Sequence, residues 1–135
     1  MKPSKETLSL NWKLFLKDLV LMLGLSLNLA ATYLAFFIWK LNLFYCVVIN
    51  LVFILIFSIY VKSLTKSIVS SVASIIIGGI IGLGIVLIPS IVHETSYEVI
   101  DLTISVYVTF ISKLVIFNLV TCMFSSIFGY LLVGD

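Results

Sequence analysis

The chain has 135 residues, of which 62% are hydrophobic and only 10% charged, with a mean hydropathy of +1.31. A typical soluble domain is about 45–50% apolar, so this composition excludes a water-soluble domain, and it equally excludes a disordered chain, which needs low hydrophobicity. Two cysteines cannot staple a disulfide scaffold, and a net charge of +2 built from eight lysines and no arginine offers no clustered basic face for nucleic acid. What remains is an all-α integral membrane protein, a single transmembrane domain whose first partner is the lipid bilayer.

The first apolar run covers residues 19–39, which are 21 residues, and an α-helix needs about 20 to cross a hydrocarbon core of roughly 30 Å. A second run covers residues 41–61, with only Lys40 and Asn42 breaking the apolar character between the two, so the first pair reads as a tight hairpin. After a short turn marked by Lys62 and Lys66, residues 67–88 form a third run that stops before Pro89, where the missing N–H favours a helix end. A polar outer loop over residues 89–101, containing His93, Glu94 and Glu98, separates it from a last span within residues 102–133. The start of that span has two readings. Residues 114–133 carry no charge and suffice alone, but a helix beginning near Glu98 is also possible and would be about 54 Å long, either as one long helix or as a span preceded by an amphipathic outer segment. The expected architecture is a four-helix bundle made of two helical hairpins.

Lysines precede the first span as they do in a secretory signal, but the run exceeds the 7–15 residues of such a signal's apolar region and lacks a small-x-small cleavage pattern, so this helix is expected to be retained. Lys2, Lys5, Lys13, Lys17, Lys62 and Lys66 fall on one side of the bilayer, against Lys40 and at most Lys113 on the other. Positive loops stay in the cytoplasm, which puts both termini inside, in the cell membrane. Trp12, Trp39, Tyr60, Tyr97 and Tyr130 fall near the span edges, where amphipathic rings prefer to sit. The tract over residues 5–18 reads as a positively charged flank, with a weakly amphipathic surface helix as the alternative.

Little in the sequence points to catalysis or cofactors. Only His93, Glu94, Glu98 and Asp101 approach a metal-ligand grouping, and His93 and Glu98 do not share a helical spacing. The lone histidine has no nucleophile context, and no Asp, Glu or His lies within a firmly placed span, so neither a catalytic residue nor a cofactor is expected. The glycine tract over residues 78–84 lacks the Lys–Ser/Thr of a phosphate loop. Its better reading is packing: Ser70, Ser74, Gly78 and Gly82 recur every four residues, aligning small side chains on one helix face where another backbone can approach closely. That neighbour is another span of this chain, a second copy, or a different protein.

Two further polar groupings stand out. Asn28 and Asn50 lie 12 and 10 residues from Lys40, which puts them within about 3 Å in depth across an antiparallel pair and in reach of a hydrogen bond that fixes register. The alternative is a substrate path lined by Asn28, Thr32, Asn42 and Asn50. Glu98, Asp101, Ser105, Thr109 and Ser112 advance by three or four residues, a polar stripe leading to Lys113, the one charge that enters the bilayer. This stripe is the expected partner-facing surface. The layout of two hairpins in so short a chain is similar to the small flippase-like membrane proteins of the GtrA type, although the arginines expected there at the span ends are absent. The function expected from these features is a non-catalytic accessory or assembly subunit that meets other membrane subunits or copies of itself. The alternative is a small oligomeric transporter, channel or flippase-like protein.

Overall fold

The computed structural model describes residues 5–94 and 96–134; Lys2, one of the six inner lysines, lies outside them. Among the described residues there are four helices: α1 (Lys5–Ile38), α2 (Leu43–Val61), α3 (Leu64–Val92) and α4 (Tyr97–Val133). All four are long and apolar enough to cross a membrane, and the chain is a multi-pass membrane helical bundle. At 1.5 Å per residue α2 measures about 29 Å and just fits a hydrocarbon core, whereas α1 and α4, at about 51 and 56 Å, must project or tilt.

Short polar turns join the helices. The Asn42 side chain accepts the Phe44 N–H at 3.0 Å and starts α2, while Lys62 in the left-handed region closes it by donating its N–H to Ser58 O. Lys40 and Glu94 adopt positive φ at the other two junctions, so each connection reverses direction within a few residues. α3 does not stop before Pro89. It continues through the proline to Val92, and the loop shrinks to residues 93–96. Proline's φ is compatible with the helix, its absent N–H removes one bond near the end, and its own carbonyl still accepts the His93 N–H at 3.1 Å. The last helix is unbroken from Tyr97, with Glu98 in its first turn, where the helix dipole favours a negative charge.

Around the bundle the order is α1, α3, α4, α2, with α1 opposite α4 and α2 opposite α3. The two most extensive contacts are between parallel helices, α1 with α3 and α2 with α4; the α1–α2 hairpin packs less closely than its short turn suggests. The reason is side-chain size. Small residues face each other in the parallel pairs, whereas many of the large apolar side chains on α2, including Phe44, Val52 and Phe53, are exposed on the outside of the bundle. Leu25, Leu29, Tyr33, Ile54, Ile75 and Leu114 form the centre of the core.

Candidate functional site

The serine-glycine face of α3 lies against α1. Ser74 donates its hydroxyl to Ser70 O at 2.7 Å and stands 3.2 Å from Met22 O, with Ser70 itself partly buried. A Cβ on Gly78 would lie 2.9 Å from both Leu29 Cβ and Ser26 O and 3.2 Å from Ala30 N, so backbone meets backbone here. One turn on, a Cβ on Gly82 would collide with the Tyr107 hydroxyl of α4. This face is therefore occupied within the chain. A second close approach, which the four-residue spacing in α3 could not reveal, joins α2 and α4: a Cβ on Gly129 would lie 2.5 Å from Ser58 Cβ and 3.3 Å from Leu55 O. Its only sequence signal is the run of small residues Cys122, Ser125, Ser126 and Gly129 along α4.

Between the two parallel pairs runs a buried polar seam. Asn28 donates to Asn50 Oδ1 at 3.4 Å and the Thr32 hydroxyl lies 3.0 Å from the same oxygen; Asn50 in turn donates to Asn118 Oδ1 at 3.1 Å, and Asn118 to the Tyr33 hydroxyl at 3.4 Å. Asn50, Asn118 and Tyr33 are fully buried, and buried amides stay in place only when both ends of the group are paired. Asn42 is not part of this network; it caps α2. Towards the end of the bundle where α2 meets α3, three hydroxyls meet. Ser58 donates to Ile54 O at 2.8 Å and must then accept from Ser67 at 2.6 Å, while Ser126 stands 3.1 Å from Ser67. The Ser71 hydroxyl, also fully buried, has no hydrogen-bond partner among the described residues. On the opposite side of the seam the Tyr107 hydroxyl donates to Gly79 O at 3.2 Å. The seam thus joins all four helices through neutral groups.

The stripe on α4 has a different character. Glu98, Asp101, Ser105, Thr109 and Ser112 are all exposed. Thr109 and Ser112 turn their hydroxyls back to the carbonyls of Ser105 and Thr109, at 2.8 and 2.7 Å, as membrane-helix hydroxyls do when no external partner is present. Lys113 is exposed and makes no hydrogen bond or ion pair with any described residue. Among those residues the ion pair is Lys66 with Asp18 at 3.9 Å, at the far end of the bundle, and both its side chains are well solvated. Phe36 and Phe37 of α1 pack on Phe110 with ring centroids 4.8 and 5.8 Å apart, tying the outer half of α4 to the end of α1. No three His, Cys, Asp or Glu side chains converge among the described residues.

Comparison with protein-family models, with curated proteins and with solved structures returns no match for this chain.

Proposed function

We propose that this protein is a non-catalytic, multi-pass accessory subunit of a larger complex in the cell membrane, with both termini on the cytoplasmic side and its partner seated on the outer half of α4. The observation that carries this reading is a contrast in how polar groups are used. Inside the bundle the amides and nearly all hydroxyls are paired with one another or with backbone carbonyls, whereas on α4 the carboxylates Glu98 and Asp101 and the Lys113 ammonium stand on the surface without partners among the described residues. Intramembrane charge is expensive, which makes a stripe ending in one a natural contact for another membrane subunit. In protein extracted from its native membrane, Asp101→Lys is expected to abolish co-purification of subunits held at fixed stoichiometry by wild type. Retention of every subunit by the variant overturns the reading.

The buried amide network supports a second reading, a small transporter or channel assembled from several copies, because Asn28, Thr32, Asn50 and Asn118 form a polar seam along the bundle. A closed homo-oligomer with no foreign subunit selects that reading over the first.

The orientation rests on the lysine asymmetry. In a background with Cys46 and Cys122 replaced, single cysteines at Ser63 and Ser96 are expected to react with an impermeant thiol reagent from opposite faces, Ser96 from outside. Reaction of both from one face sinks the four-span topology.

A further inference from the structure

We propose that the groove between the inner halves of α1 and α2 binds one anionic phospholipid, its phosphate on Lys17 and the Tyr60 hydroxyl and an acyl chain against Leu21, Gly24, Phe53 and Ile56. The groove has a volume of about 270 Å³, and its wall is apolar apart from the Tyr60 hydroxyl. Gly24 opens it: the glycine is exposed, and a Cβ there would meet no atom within 4 Å.

The polar mouth and the apolar wall stand in the order a lipid requires. Lys17 and Val61 each lie 11 residues from the Asn28–Asn50 bond and so share one depth, and Val61 ends the helix that just fits the hydrocarbon core. Lys17 therefore sits at the edge of the core on the lysine-rich side, and its side chain tilts towards the α1 N-terminus, away from the hydrocarbon. Every residue lining the groove lies on the core side of it. From Tyr60 to Phe53 the wall runs about 10 Å into the hydrocarbon, along the direction of an acyl chain. Lys17, Leu21 and Gly24 advance by four and three residues, which puts the ammonium and the notch on one face of α1.

The charge at the mouth selects an anion. Lys17 is exposed and has no carboxylate partner among the described residues; Asp18, the adjacent acid, pairs with Lys66 of α3 at 3.9 Å. The Tyr60 hydroxyl is bonded to no described residue and no carboxylate lines the groove, which leaves a cation and an O–H donor above an apolar slot. That slot offers a free phosphate ion nothing, whereas an acyl chain of the same leaflet fills the notch by dispersion contact. The site uses no residue of α4 and lies in the opposite leaflet from Lys113, so the surface assigned to the partner subunit stays free.

The reporter is a tryptophan at the foot of the groove: Phe53→Trp, at a position 47% exposed, in a background with Trp12→Phe and Trp39→Phe. Its quenching in bilayers by phosphatidylglycerol brominated midway along the acyl chain is compared with quenching by equally brominated phosphatidylcholine. The anionic lipid is expected to reach half-maximal quenching at about fivefold lower mole fraction, the factor to which roughly 1 kcal/mol per lysine at a lipid surface corresponds. Lys17→Gln should remove the preference, and Lys17→Arg should keep it. Lys5→Gln removes the same charge about 18 Å further along α1, beyond the Debye length of about 8–10 Å, and should leave the preference intact. Gly24→Leu, which fills the notch and keeps the charge, should lower quenching by both lipids. Equal preference in the reporter protein and its Lys17→Gln variant, equal loss through Lys5→Gln, unchanged quenching in Gly24→Leu, or relief of quenching by inorganic phosphate at constant ionic strength overturns the proposal. Because this readout is taken on the isolated chain, it is independent of whether subunits co-purify.

Discussion

Gly78→Leu is expected to separate α1 from α3 and destabilise the bundle by about 3 kcal/mol or more, the upper range for forcing bulk into a packed interior. The atoms in the way are Ser26 O and Ala30 N, which are backbone, and Leu29 Cβ, which is fixed to it, so no rotamer change makes room. Even Gly78→Ala places a methyl 2.9 Å from two of them. Gly82→Leu should cost less, since the first obstacle is the far end of the Tyr107 side chain, and the price is the Tyr107 bond to Gly79 O. Two controls separate this packing effect from the general effect of losing a glycine. Gly84 has open space where a Cβ would stand, so Gly84→Ala should stabilise by about 0.5–1 kcal/mol through helix propensity. Ile80 is 64% exposed, and Ile80→Leu should stay within about 0.5 kcal/mol. Thermal unfolding of the detergent-extracted variants ranks them; equal loss for Gly78→Leu and Gly82→Leu, or none for either, refutes the close-approach account.

The parts of this structure legible in the sequence are those fixed by one helix or by one short turn. Twenty-residue apolar runs reveal the spans because the bilayer sets that length, and counting from Lys40 brings Asn28 to Asn50 because a tight turn fixes the register of antiparallel neighbours. Parallel neighbours have no such turn. Nothing in the spacing along α2 and α4 says that Asn118 meets Asn50, or that Gly129 meets Ser58, so both contacts escape a reading that proceeds hairpin by hairpin. The Ser58, Ser67 and Ser126 cluster is hidden for the same reason, since it draws one residue from each of three helices. Pro89 misleads in the other direction: a residue that disfavours a helix interior is tolerated when only one turn follows it. On the surface stripe of α4 the sequence is as informative as the structure, because exposed polar residues at helical spacing need only the helix itself to align them.

Asn50→Leu tests whether the buried seam holds the two parallel pairs together. Asn50 is the only residue of the network bonded to both α1 and α4, accepting from Asn28 and Thr32 and donating to Asn118. Leucine keeps the branched skeleton of asparagine but carries bulkier methyl groups, so the change removes the hydrogen bonds and adds some overpacking, which the double variant below shares. Thr32 keeps a partner in Leu29 O at 2.9 Å, but Asn118 Oδ1, in a fully buried residue, loses its donor, and the partly buried Asn28 amide loses its acceptor. An orphaned buried group costs about 1–3 kcal/mol, whereas a single interhelical bond in a membrane averages only about 0.6, so the orphans dominate and a loss of about 2–3 kcal/mol is expected. The argument has a sharper consequence. Asn118→Leu added to Asn50→Leu removes the worse of the two orphans, leaving the Tyr33 hydroxyl without the Asn118 donor but free to act as a donor itself. The double variant should therefore be no less stable than Asn50→Leu alone, with a coupling of about 1–2 kcal/mol in the double-mutant cycle. Additive losses would mean that the two amides stabilise the bundle independently, and the seam would then be a row of separate contacts instead of a network joining the pairs.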